Sequence, residues 1–208
     1  SLSDKSPLPS ISQHAGSVTG GRNVPTISPR GIEKSLSSIT RLFERHQIPY
    51  LLIGAAALWV WGRPRTTLDL DFLVLTDRKA FNRFQSLARQ EHLQIDQKWR
   101  LWNPLLKGTQ IRFRRGSIAI DVMRPRDEHD RAALRRKRRR RLGRRSYWLI
   151  SPEDFILQKL KLGRPRDFED ALVVFEAQRR KLNRPYLKRW AKRMGIVGEL
   201  AYLVHAAA

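Results

Sequence analysis

The sequence predicts an α+β fold: a small mixed sheet flanked by helices, followed by a C-terminal helical bundle. Three observations carry that reading. An apolar run at 50–53 ends in a glycine. Segments of strand-like alternation follow at 68–75 and 118–123. Helical spacing of apolar residues opens the folded part and accounts for all of the last third.

The elements follow in order. Residues 1–30 are rich in Ser, Gly and Pro without periodicity and read as a disordered tail. Ile32, Leu36, Ile39 and Phe43 predict an amphipathic helix over 31–47, which Pro49 stops. Residues 50–53 form a buried strand, Gly54 turns the chain into a short helix at 55–61, and 62–65 is a loop. The second strand covers 68–75, with Leu68, Leu70, Phe72 and Val74 facing a core. A helix over 77–90 places Phe81, Phe84 and Leu87 on one side. Residues 93–108 fit neither period, and Trp99 and Trp102 are candidates for packing there. Residues 111–113 and 118–123 flank Arg114-Arg115-Gly116-Ser117 as a hairpin. The basic stretch 126–145 is expected to begin as a helix. Ser151-Pro152-Glu153-Asp154 starts another, with Ser at the N-cap and Pro in the first turn, and Gly163 ends it. Helices from Pro165 to about 181, around Leu187–Met194, and over 197–205 complete the chain. The expected division is a core at 31–148 and a helical region at 149–208.

With 42 Lys and Arg against 19 Asp and Glu, the 208-residue chain carries a formal charge of +23. Such a field attracts polyanions, nucleic acid first among them, although a plain bias towards arginine would give the same count. The absence of cysteine excludes disulfides and thiolate zinc sites. No apolar run reaches the roughly 20 residues of a membrane span, so a cytoplasmic protein without membrane contact is expected.

Asp69 and Asp71 stand two apart on a strand and so share a face. Side-by-side carboxylates repel unless a cation intervenes, and such a pair anchors divalent metal; a solvent-facing edge strand would also tolerate it. Asp121 lies inside Ile118-Ala119-Ile120-Asp121-Val122, where an unpaired charge is costly. Packed beside the other two, it completes a carboxylate cluster for Mg²⁺ (or Mn²⁺). Gly54 sits between a strand and a helix N-terminus, where free amides suit phosphate, or where a core needs a tight turn.

The run Arg135, Arg136, Lys137, Arg138, Arg139, Arg140, Arg141, with Arg144 and Arg145 beyond it, needs an anionic partner or lies as a solvated face. Contacts of that kind hold nucleic-acid phosphates without reading sequence. Tyr147 and Trp148 are either core or a stacking platform.

Gly54, Arg65, Thr67-Leu68-Asp69-Leu70-Asp71 and the later Asp121 resemble the nucleotidyltransferase fold of polymerase β type. The likeness is closest to the AbiEii-type nucleotidyltransferase toxins of bacterial toxin–antitoxin systems. The downstream Lys159, then Arg164-Pro165-Arg166-Asp167-Phe168-Glu169-Asp170, is similar to that family's Lys and basic-Asp-x-x-Asp segment. The resemblance implies a metal-dependent transfer of NMP from an NTP to an acceptor hydroxyl. Gly54, Ala55, Arg65, Thr67 and Arg164 would hold the nucleotide, and Asp69, Asp71 and Asp121 the metal. Asp121 would also help deprotonate the attacking hydroxyl. Lys159 would neutralise phosphate, and Asp167 or Asp170 would act as a base or orient Lys159 and Arg164. Without the family, Lys159 reads as a surface lysine and Asp167 and Asp170 as helix-start acids. One departure stands out: Ala55 follows Gly54 where the family has Ser or Gly. The implied partners are an NTP, an RNA acceptor of tRNA type and a cognate antitoxin. The alternatives are a non-catalytic RNA-binding or antitoxin-like module, or transfer to a protein or small molecule. The +23 charge disfavours a cationic drug as acceptor.

Overall fold

The computed structural model describes residues 29–65, 67 and 69–208, so the tail expected at 1–30 and the inward side chain expected at Leu68 lie largely or wholly outside the described residues. A seven-stranded mixed sheet runs in the order β3-β4-β5-β2-β1-β7-β6. Its centre is β1 (Tyr50–Ile53), β2 (Asp69–Val74) and β5 (Ile118–Met123). β2 is antiparallel to β1 and parallel to β5. β4 (Gln110–Arg115) forms the expected hairpin with β5, and the short β3 (Gln94–Ile95) borders it.

Helices cover both faces. α1 (Pro29–Arg45) and α3 (Arg78–Gln90) bury Leu36, Ile39, Phe43, Phe81 and Phe84 against Leu70, Phe72 and Val74. The other face receives α5 (Glu128–Arg135), α6 (Pro152–Leu162), α7 (Pro165–Gln178), α8 (Arg184–Met194) and α9 (Val197–Ala206), packed on Leu51, Ile53 and Leu73. Strand alternation therefore sends Leu70, Phe72 and Val74 to the α1–α3 side, and Asp69, Asp71 and Leu73 to the side of the C-terminal helices. This alternation sets the carboxylates within reach of α6 and α7.

Two expectations change in detail. Residues 93–108 fold as β3, α4 (Gln97–Trp102) and a 3₁₀ turn; Trp99 is half-buried, but Trp102 is 79% exposed and packs nowhere. The basic stretch begins as the helix α5 and then becomes a hairpin, β6 (Arg138–Leu142) and β7 (Arg145–Leu149). β7 pairs parallel with β1, so the arginine run forms an edge strand of the sheet. Four exposed arginines on an edge repel a second strand, which guards the open ladder against aggregation. Among the described residues, no helix is long and apolar enough to cross a membrane.

Candidate active site

The strand register lays the candidate residues in two rows across the sheet. In one row Arg112 of β4 pairs with Asp121 of β5, which pairs with Asp71 of β2, which pairs with Ile53 of β1. In the next row Arg114 pairs with Ala119, and Ala119 with Asp69. Asp69 and Asp71 thus stand on a central strand, not an edge. Sequence separations of about 50 residues between the acids disappear in the register, and the three carboxylates converge.

Gly54 follows Ile53 directly and opens a short turn, Gly54–Ala57, leading into α2 (Leu58–Trp61). Its φ is +66°, and a Cβ built on it would lie 2.0 Å from Asp71 Oδ2. Only glycine fits, because both the left-handed backbone and the contact with the carboxylate exclude a side chain. Ala55 is buried under the same turn.

Asp71 makes no ion pair or side-chain hydrogen bond among the described residues. Burial pushes its carboxyl up to about 7, with the charges of Asp121 and Asp69 adding to the shift and those of Lys159 and Arg112 opposing it. Asp69 is exposed, and the Thr67 hydroxyl accepts from its backbone amide at 3.2 Å. Asp121 is buried and already paired: Arg112 Nε donates to Oδ1 at 2.9 Å and Nη2 to Oδ2 at 2.6 Å. The Arg112 guanidinium also lies 5.4 Å over the Trp99 ring.

This pairing corrects the expected metal set. Among the described residues no three acidic or imidazole side chains are arranged to hold an ion. Asp69 and Asp71 fit one divalent cation, being same-face oxygens with Asp71 lacking a counter-charge. Asp121 spends both oxygens on Arg112. No signal in the sequence marked Arg112; its position across the hairpin from Asp121 would have singled it out.

Lys159 is not a surface lysine. Only 5% exposed on α6, it donates to Asp167 Oδ1 at 2.7 Å and Asp170 Oδ2 at 2.8 Å. Two of its three N–H groups are thereby used. Arg65 grips Asp170 with two hydrogen bonds, at 3.0 and 2.9 Å, and Arg164 pairs with Asp167. Burial works against ionisation of Asp167, yet hydrogen bonds from Arg164 and Lys159 hold its carboxyl below the usual range. Asp170 is held low in the same way, against burial, by Arg65 and Lys159. Asp167 and Asp170 therefore act as orienting carboxylates rather than bases, and Arg65 and Arg164 are fixed by them. The loop that carries Arg65 is pinned by Trp59, whose Nε1 donates to the Arg65 carbonyl at 3.1 Å.

The basic residues divide. Arg135, Arg138, Arg139, Arg140, Arg141 and Arg144 are exposed, with Arg140 4.9 Å over the Trp61 ring. Arg136 turns inward instead: it donates to Asp154 at 3.2 Å and to Glu153 at 3.1 Å, and lies 3.7 Å over the Tyr186 ring. That cluster bolts the hairpin to α6 and α8, and Tyr186 and Ser151 also donate to Asp154. Lys137 is half-buried over Trp148. Arg145 binds Ser37 and Glu44 of α1. Tyr147 is buried in the core, whereas Trp148 is half-buried between Lys137 and Arg139.

No protein-family model and no curated protein sequence matches the chain. Solved structures do. A nucleotidyltransferase-like antigenic protein from Paracoccidioides brasiliensis superposes with a TM-score of 0.50 at 17% identity, over 68% of this chain and 74% of that one. The antibiotic-resistance factor ANT(2'')-Ia gives a TM-score of 0.52 at 10% identity, over 82% of this chain and 97% of its own. The architecture described above, a mixed sheet flanked by helices with paired aspartates on a central strand, is therefore the nucleotidyltransferase fold.

Proposed function

We propose that this chain transfers a nucleoside monophosphate from an NTP to an acceptor hydroxyl, and that the acceptor is RNA of tRNA type. The observation that carries the reading is the meeting of Asp69 and Asp71 with the Gly54 turn, where Asp71 is left buried without a counter-charge. Asp69 and Asp71 would hold Mg²⁺ or Mn²⁺, which when bound stabilises the entering and leaving oxygens of an in-line displacement. Gly54 keeps side chains away so that phosphates approach the backbone amides of the turn. Lys159 turns its remaining N–H and its charge towards the site, and Arg164 adds a second cation. Asp121 accepts the proton of the attacking hydroxyl once Arg112 releases it. Release is one move of one side chain, because Arg112 is anchored only by Asp121 and the Trp99 face.

The resemblance to AbiEii-type toxins adds a toxin role and an antitoxin protein as partner. The +23 charge and the arginine edge support an RNA acceptor. The Arg112–Asp121 pair itself favours a second reading, a module that binds RNA on this fold without the reaction. Incubation with each of four labelled NTPs, Mg²⁺ and total RNA separates the two. Label in RNA that Asp71→Asn abolishes supports the transferase; equal labelling by both proteins removes it.

A further inference from the structure

A cleft of about 360 Å³ opens beside Asp69, lined by Arg65, Thr67, Arg114, Ser117, Ala119 and Arg166. Three guanidiniums and two hydroxyls face one carboxylate there. Ala119 is the only apolar side chain in the lining, so the cleft suits a charged, hydrogen-bonding ligand and not an apolar one. A polycationic acceptor would meet like charge.

The guanidiniums differ in how they are held. Asp170 fixes Arg65 from behind through two hydrogen bonds, and Asp96 fixes Arg114 at 2.6 Å. Arg166 is exposed and makes no ion pair or side-chain hydrogen bond among the described residues. Two positioned donors and one uncommitted cation form a fork that matches phosphate oxygens.

Register places this cleft relative to the reacting groups. Along the row of Asp71, Ile53 and the Gly54 turn stand on the β1 side. The cleft lies on the β5 and β4 side, through Ala119, Ser117 and Arg114. Donor phosphates at the glycine turn and a ligand in the cleft would thus approach the aspartates from opposite sides, as an in-line displacement requires.

We propose that the cleft of Arg114, Arg166 and Arg65 is the acceptor subsite and binds a phosphate near the end of a single-stranded RNA. The assignment rests on the transferase reading for the word acceptor, but the binding claim is tested without turnover. Phosphate could come from the RNA or from the NTP, and the arms of the experiment separate them.

The full chain and its Arg114→Gln/Arg166→Gln form are titrated with a short labelled oligoribonucleotide by anisotropy, and with Mg²⁺ and α,β-methylene ATP by calorimetry. The expected result is about a tenfold loss of RNA affinity. The dependence of log K on log salt falls by roughly 1.4, for two single-strand phosphate contacts. Affinity for the nucleotide analogue stays the same. The control Arg180→Gln/Lys181→Gln removes equal charge at the far end of α7 and leaves RNA affinity within about twofold, as remote screened charges do. An equal loss in the control, no loss in the cleft variant, or any loss of analogue affinity overturns the assignment. RNA held in the cleft by a chain that labels no RNA would remove the transferase and leave the anion subsite standing.

Discussion

Arg112 closes both prongs of its guanidinium on Asp121, at 2.9 and 2.6 Å, one strand away from Asp71. A resident cation therefore already neutralises the third carboxylate, and its field reaches Asp69 and Asp71. Hydrogen bonding to Asp121 raises the pKa of Arg112 further, so the pair does not open by deprotonation. Arg112→Ala should tighten Mn²⁺ binding, followed by electron paramagnetic resonance, by roughly tenfold through relieved repulsion and a freed ligand. The same variant without metal should lose about 3 kcal/mol of stability, because Asp121 stays buried and unpaired. Saturating Mn²⁺ should restore part of that loss; unchanged Mn²⁺ affinity would show that Arg112 does not compete.

Gly54→Ala is the sharpest test of the turn. The new methyl would sit 2.0 Å from Asp71 Oδ2 at a φ of +66°. Left-handed backbone alone costs a non-glycine residue roughly 1–2 kcal/mol, and the clash displaces the carboxylate besides. Denaturant unfolding should show a loss of at least about 2 kcal/mol, and Mn²⁺ binding should weaken in the same protein. A variant with wild-type stability and metal affinity would show that Asp71 does not need the turn.

Much of this arrangement was legible in the chain, for local reasons. Ser151 and Gly163 punctuate α6 at the expected places because a cap and a left-handed stop act within one turn. Gly54, Asp69 and Asp71 were visible because strand alternation is local. The state of Asp121 was not, since its partner lies nine residues away across a hairpin whose register no single residue sets. Arg138–Leu142 read as helix or loop because side-chain charge hides the backbone preference; pairing with β7, itself docked on β1, decides it. The inward turn of Arg136 depends on Asp154 and Tyr186, which come from two later helices.

Metal-free stability should fall with rising pH over the range set by Asp71. Its folded pKa, about 7, stands above the unfolded value near 3.8, so the native state binds the extra proton between these values. The stability contributed by protonated Asp71 is complete below about pH 4 and lost as pH rises through 7. A divalent cation competes with that proton, so Mg²⁺ should raise the thermal midpoint more at pH 8 than at pH 5.5. Asp71→Asn should flatten the pH slope and remove the Mg²⁺ difference; a slope retained in Asp71→Asn would assign it to another group.

Lys159→Ala should destabilise the fold by about 3 kcal/mol, the cost of leaving buried carboxylates short of a counter-charge. Asp167 and Asp170 would keep only Arg164 and Arg65. Urea unfolding measures the loss, and Lys159→Arg should recover part of it. Free exchange of this lysine for alanine would mean that Arg65 and Arg164 alone carry the pair.

Arg136 and Arg139 stand three residues apart in one basic run and should separate cleanly. Arg136 spends its donors on Asp154 and Glu153 and covers Tyr186, so Arg136→Ala should cost about 2–3 kcal/mol of stability through the unpaired acids. Arg139 is exposed on the edge strand. Arg139→Ala should leave the unfolding midpoint within experimental scatter and lower the salt dependence of RNA binding by roughly 0.7, the share of a single phosphate on a single strand. If the effects are reversed, so that Arg139 governs stability and Arg136 the salt slope, then the hairpin does not sit on the sheet in this register, and the arginine edge is not the outward face that the RNA reading requires.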